Sequence, residues 1–107
     1  MQSHVTYTAG LDAYIWRDLN GQLHRTDGPA TEWADGSKMW CVNGQLHRTD
    51  GPAIILYDGS KMWYLNGQLH RTDGPAIERA DGSNVWCVDG IELTEEEIDK
   101  LTKCNNH

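Results

Sequence analysis

Three side-chain types recur at a fixed interval in this chain of 107 residues: His24, His47 and His70; Arg25, Arg48 and Arg71; Asp27, Asp50 and Asp73. An imidazole serves as a general base or a metal ligand, a guanidinium grips phosphate or carboxylate, and a carboxylate orients either. Three chemistries follow: an acid–base centre in triplicate, a ladder of metal ligands, or a basic row along a phosphate polymer.

The spacing argues against all three. If each repeat is a hairpin, equivalent residues stand two strands apart, roughly 10 Å at about 4.8 Å per strand. Ligands of one zinc ion must lie within about 2.1 Å of it, so the three imidazoles cannot share a metal. An active site needs a nucleophile, a base and an oxyanion donor converging asymmetrically, whereas every polar cluster here is copied. No G-x-S-x-G, H-E-x-x-H or P-loop is present. The Asp two residues beyond each Arg opposes a phosphate grip and reads as a local ion pair. The reading is therefore a chain with no catalytic residues, no metal ligands and no cofactor, not an enzyme. Each His is expected to pack against an opposed Trp and to bond to backbone or Asp.

The elements that place these residues are set by turns. The segment NGQLHRTDGPA occurs three times without change, at Asn20–Ala30, Asn43–Ala53 and Asn66–Ala76, with starts 23 residues apart. Ten of the eleven glycines follow Asn or Asp, so glycine marks turns here rather than a phosphate cradle. Asn-Gly favours a two-residue hairpin loop, Asp-Gly before Ser37, Ser60 and Ser83 is a similar signal, and Thr-Asp-Gly-Pro is a third break. In the last of these, glycine is read as permitting unusual dihedrals before proline. A two-residue loop at Asn43-Gly44 sets Cys41 opposite Leu46 and Trp40 opposite His47. A two-residue loop at Asp58-Gly59 sets Tyr57 opposite Ser60 and Ile55 opposite Met62. By alternation, Trp40, Val42 and His47 share one face with Trp63, Leu65, His70 and Ile54. The other face takes Met39, Cys41, Leu46, Ile55, Tyr57, Met62, Tyr64 and Leu69.

The expected fold is an all-β repeat, an antiparallel meander of 23-residue hairpins closed by a short C-terminal helix. One domain spans residues 1–107: lead-in strands over 1–19, three repeats over 20–88, a final turn and strand over 89–93, and a helix over 94–104. Thr94 with Glu97 three residues on is a capping box, and Ile98 and Leu101 supply an apolar face with Leu93 or Cys104. The helix is expected to dock on the last repeat and shield the sheet edge.

Composition narrows the function. The net charge of −7 disfavours a nucleic-acid binder and adhesion to an anionic membrane, and fits docking on a basic partner. Three cysteines, Cys41, Cys87 and Cys104, without a C-x-x-C pair suggest a reducing compartment. With no leader and no long apolar run, the expected location is the cytoplasm.

The spacing of Trp, Asn-Gly, His, Gly and Asp-Gly over each unit resembles the MORN repeat. The form NGxLHRxDGPAxxxxDGxxxW is similar to the MORN-variant repeats of bacteriophage and bacterial proteins, over roughly Tyr14 to Asp89. The chain departs from the common MORN pattern by carrying Arg-Thr-Asp before Gly-Pro. The resemblance implies a hairpin platform for protein–protein interaction, and some MORN repeats bind phospholipid. By analogy of class, a small acidic phage protein is an inhibitor of a host defence system such as CRISPR, an anti-CRISPR acting by surface occlusion in the host cytoplasm. The partner would be a host protein or ribonucleoprotein complex, with a homodimer possible, and neither direct nucleic-acid binding nor a membrane involved. The alternatives are an acidic nucleic-acid mimic and a homo-oligomeric assembly platform.

Identity between the copies marks what the fold needs, and divergence marks room for recognition. The partner-binding candidates stand at positions where the units differ, with the methionine beside them: Trp33, Ile55, Tyr57, Met62, Tyr64, Glu78 and Arg79. Aromatics and Arg are the usual interface anchors.

Overall fold

The computed structural model describes residues 3–105, with side chains to residue 100. It is all-β apart from one helix. The strands are β1 (His4–Thr8), β2 (Ala13–Arg17), β3 (Thr31–Trp33), β4 (Lys38–Met39), β5 (Cys41–Val42), β6 (Gln45–Leu46) and β7 (Ile54–Ile55). They continue as β8 (Lys61–Met62), β9 (Tyr64–Leu65), β10 (Gln68–Leu69), β11 (Ile77–Glu78), β12 (Asn84–Val85), β13 (Cys87–Val88) and β14 (Ile91–Glu92), followed by α1 (Glu95–Asn105).

Eight strands form one antiparallel sheet in the order β1-β2-β3-β4-β7-β8-β11-β12. The pairs β5–β6, β9–β10 and β13–β14 form three separate hairpins. Each repeat thus contributes two hairpins. The segment Lys38–Val42 starts in the sheet, breaks at Trp40 and finishes in the outer hairpin.

The alanines of the repeated segment sit where the chain passes from sheet to hairpin. Ala53 donates to Met62 at 2.8 Å and accepts from Trp40 at 2.7 Å, and Ala30 does the same between Met39 and Trp16. Ala30, Ala53 and Ala76 are fully buried, with Ala13, Ile15, Cys41 and Cys87 completing the apolar core. Bonded on both sides at a bend, this position has room for a methyl group and little more.

The two kinds of turn behave differently. Asn43 and Gly44 both have positive φ (53° and 80°), a type I′ loop, and the register is Cys41 opposite Leu46 as expected. His47 donates its backbone N–H to Trp40, so that pairing holds too. At Asp58-Gly59 the expectation fails: Ile54, not Ile55, opposes Met62, and Ile55 opposes Lys61. Gly59 alone has positive φ (94°), Leu56 N–H bonds to Ser60 O at 2.9 Å, and Tyr57 lies in the loop rather than opposite Ser60. Asp58 Oδ1 accepts the Ser60 N–H at 2.9 Å, and Asp58 does not take the positive φ that a type I′ loop needs. The result is a three-residue loop with a bulge at glycine, and the one-residue slip exchanges the faces.

The first Asn-Gly copy also departs. Gly21 has positive φ (82°) but Asn20 does not. Asp18 Oδ1 accepts the N–H groups of Asn20 and Gln22 at 2.9 and 3.0 Å, and Asp18 opposes Gln22 across a longer loop. Identical letters fold differently because three residues separate Trp16 from Asn20 where two separate Trp40 from Asn43, and Asp18 holds the longer loop.

Successive outer hairpins are stitched together by Gly44 N–H to Leu23 O, Gly67 N–H to Leu46 O and Gly90 N–H to Leu69 O, each 2.8 Å. The inner turns are stitched by serine: Ser37 Oγ accepts from Tyr57 and Ser60 Oγ from Ala80, both at 3.0 Å.

The capping box is formed: Glu97 N–H donates to Thr94 Oγ1 at 3.2 Å, and Thr94 N–H donates to Glu97 Oε1 at 3.0 Å. That bond holds the Glu97 carboxyl below its usual range. Among the described side chains of α1, Ile98 is half-buried and the others are exposed, and the side chains of Leu101 and Cys104 lie outside the described residues. No helix among the described residues is long and apolar enough to cross a membrane.

Candidate partner-binding surfaces

The repeated Arg and Asp are paired within their own loop. Arg48 Nε pairs with Asp50 at 2.9 Å, its Nη1 donates to Pro52 O at 3.0 Å, and its Cζ lies 3.8 Å from the centroid of the Trp40 ring. Arg25 makes the same contacts with Asp27, Pro29 and Trp16, and Arg71 with Asp73, Pro75 and Trp63. Arg71 also reaches Glu78 at 2.9 Å. The Arg25 hydrogen bond holds the Asp27 carboxyl below the usual range. The glycine before each proline has a different purpose from the one expected: it is not in the left-handed region, but a Cβ there would meet the arginine Cζ at 2.9 Å (Gly28), 3.0 Å (Gly51) or 2.6 Å (Gly74).

Each imidazole links neighbouring units. Nδ1 of His24, His47 and His70 accepts the backbone N–H of Asn43, Asn66 and Asp89, each at 3.0 Å. That acceptor role places the proton of the neutral ring on Nε2. His24 is buried, and its Nε2 and Asp18 Oδ2 are the buried side-chain atoms without a partner among the described residues. No group of three potential metal ligands gathers among the described residues. Burial pushes the Cys41 thiol up to about 11, and burial with the nearby Glu92 raises Cys87, so neither is an activated nucleophile.

Two surfaces stand out among the described residues. The first is a pair of grooves between successive Arg-Thr-Asp loops. One, of about 590 Å³, is floored by Trp40, Val42 and His47; the other, of about 640 Å³, by Trp63, Leu65 and His70. The shared face expected for these residues is therefore present, except that Ile54 lies in the main sheet between Met39 and Met62.

The second is a cross-strand ladder on the main sheet: Tyr7, Tyr14, Glu32, Lys38, Ile55, Lys61, Glu78 and Asn84, each opposite the next. Tyr7 and Tyr14 pack with tilted rings, centroids 5.1 Å apart, and the Tyr14 ring centroid lies 6.5 Å from that of Trp16. Both tyrosines are about half exposed. The Tyr7 hydroxyl bonds to Asp12, which raises its ionisation above the usual range. A cleft of about 480 Å³ at this end is lined by Tyr7, Tyr14, Trp33 and Lys38, among others.

The expected site residues are divided by this geometry. Ile55 and Glu78 fall on the ladder, and Trp33 lines the cleft beside it. Tyr57 stands 74% exposed at its turn, and Arg79 caps the next turn through Ser83. Met62 belongs to the alternate row with Ile54 and Ile77, and Tyr64 lies opposite Leu69 in an outer hairpin. Ile55, Tyr57, Met62 and Tyr64 therefore do not form one face. Tyr7 and Tyr14 were missed because comparing repeats passes over the lead-in strands. Their signal was the alternation in HVTYT and AYIWR.

No known protein family, curated protein or solved structure matches the chain.

Proposed function

We propose that the chain is a non-catalytic protein-binding module that works by covering a partner's surface. The observation that carries this is the uncovered ladder, an aromatic cluster at Tyr7 and Tyr14 continued by Glu32, Lys38, Ile55, Lys61 and Glu78. Such a row offers anchors and registered ion pairs to a flat partner. The repeated polar clusters support the same reading, since their hydrogen bonds are largely spent on their own loops. The narrower reading, a phage inhibitor of a host defence complex, rests on the resemblance of the repeats and takes occlusion as its mechanism. A nucleic-acid mimic draws less support, because two lysines stand between the carboxylates of Glu32 and Glu78 along the ladder.

The test compares the purified chain with a Tyr7→Ser/Tyr14→Ser variant and with Tyr57→Ser, each immobilised against lysate of the natural host. The tyrosine-pair variant should lose the retained partner while keeping its circular dichroism spectrum. Retention of the same partner at the same level by both variants would overturn the reading.

A second reading, self-association, is favoured by β1. This five-residue strand is the outer edge of the sheet and is largely exposed, so a second copy could pair along it. Light scattering that gives a dimer mass, abolished by Val5→Lys, would support it; a monomer at all concentrations would dispose of it.

A further inference from the structure

The two grooves are copies of one another, one repeat apart, and they share the loop Arg48-Thr49-Asp50. Each has an apolar floor of Trp40 with Val42 or Trp63 with Leu65. Trp40 and Trp63 are half-buried, and each indole carries an N–H donor that is not among the buried unpartnered atoms of the described residues. Nε2–H of His47 and His70 is a second donor, since Nδ1 of each is an acceptor. The rim carboxylates Asp27, Asp50 and Asp73 are 84%, 82% and 80% exposed. Each arginine is stacked on a Trp and paired with its own Asp, which leaves the outer carboxylate oxygens as the charge a ligand meets first.

We propose that these grooves bind a basic, proline-rich segment of a partner protein in the polyproline II conformation, one helical turn per groove. The periods match. Two strands per repeat advance the grooves by roughly 9.6 Å. A polyproline II helix has three residues per turn and a rise of 3.1 Å, so equivalent side chains return every ~9.3 Å. An extended strand returns to the same face every ~6.7 Å and would fall out of step after one groove. The chemistry also matches. A polyproline II chain makes no internal hydrogen bonds, so its carbonyls are free to accept from the indole and Nε2–H donors. Its prolines pack on the Trp and aliphatic floor. A Lys or Arg at every third position meets an exposed Asp, in keeping with the net charge of −7. The grooves are distinct from the ladder, so this inference goes beyond the function proposed above.

The experiment titrates the intact chain with a labelled peptide of Lys-Pro-Pro triplets and with a Lys-Gly-Gly peptide of equal length and charge. The readouts are anisotropy and the indole N–H signals in NMR spectra. The proline peptide should bind roughly ten-fold more tightly, because its conformation is already ordered. The Trp40 and Trp63 signals should shift, and lengthening the peptide from one groove to two should raise affinity. Asp50→Asn with Asp73→Asn should weaken binding; if that variant misfolds, the indole shifts in the wild type decide. Equal affinity for the two peptides, unshifted indoles, or tighter binding of a single-stranded oligonucleotide would overturn the proposal. Tyr7→Ser/Tyr14→Ser should bind the peptide as the wild type does, so failure here and failure of the ladder reading are separable.

Discussion

His47 Nδ1 accepts the backbone N–H of Asn66, 3.0 Å away and nineteen residues on, so the imidazole of one repeat fastens the turn of the next. His24 does the same for Asn43 but is buried, whereas His47 is only partly covered. His24→Ala should therefore cost more than His47→Ala. The lost bond is worth about 1 kcal/mol at either site, and the cavity at His24 should add roughly 1–2 kcal/mol. Urea titration of the two variants checks the order, and equal losses would contradict it.

Two asparagines with the same neighbours downstream should respond differently to substitution. Asn43 has positive φ and Asn20 does not. Asn43→Ala should cost about 1–2 kcal/mol from the left-handed conformation, while Asn20→Ala should be close to neutral. Denaturation midpoints at unchanged slope measure the difference.

Gly51→Ala should act through Arg48 rather than through the backbone, since the new Cβ would lie 3.0 Å from the guanidinium carbon and φ is not left-handed. Displacing Arg48 from Trp40 should lower stability by about 1 kcal/mol and change tryptophan emission. Gly10→Ala, where a Cβ meets nothing, is the control and should change neither.

Cys41 makes the chain sensitive to alkali. Its folded thiol is raised to about 11 by burial, against about 8.5 when unfolded, so folding favours the protonated form. The associated stability is complete below about pH 8.5 and is lost as pH rises toward about 11. In a Cys87→Ser/Cys104→Ser background, Cys41 should react with a thiol reagent at neutral pH only on unfolding, and Cys41→Ala should flatten the alkaline loss. Rapid labelling of the native chain would contradict this.

Local chemistry was legible without coordinates. The 23-residue period, the Asn43-Gly44 hairpin with Trp40 opposite His47, the Arg48–Asp50 pair and the Thr94–Glu97 box each depend on residues close in sequence. Their geometry follows from backbone dihedrals and short-range hydrogen bonds, and the side chains suffice to specify it.

Tertiary structure decided what those rules leave degenerate. Asp-Gly is compatible with a two- or a three-residue loop, and the choice made by Asp58 and Ser60 determined which face Ile55 and Met62 occupy. The Asn20 turn follows from Asp18, two residues outside the repeated segment. Gly51 is required by a guanidinium brought over it by the Trp40 ring. The ladder from Tyr7 to Asn84 exists because eight strands pair side by side. The Asp58 and Asp18 contacts are local and select between loop lengths that the residue types allow equally, whereas the guanidinium over Trp40 and the ladder join atoms that the chain has to fold to bring together, a distance that a pattern read along one dimension does not contain.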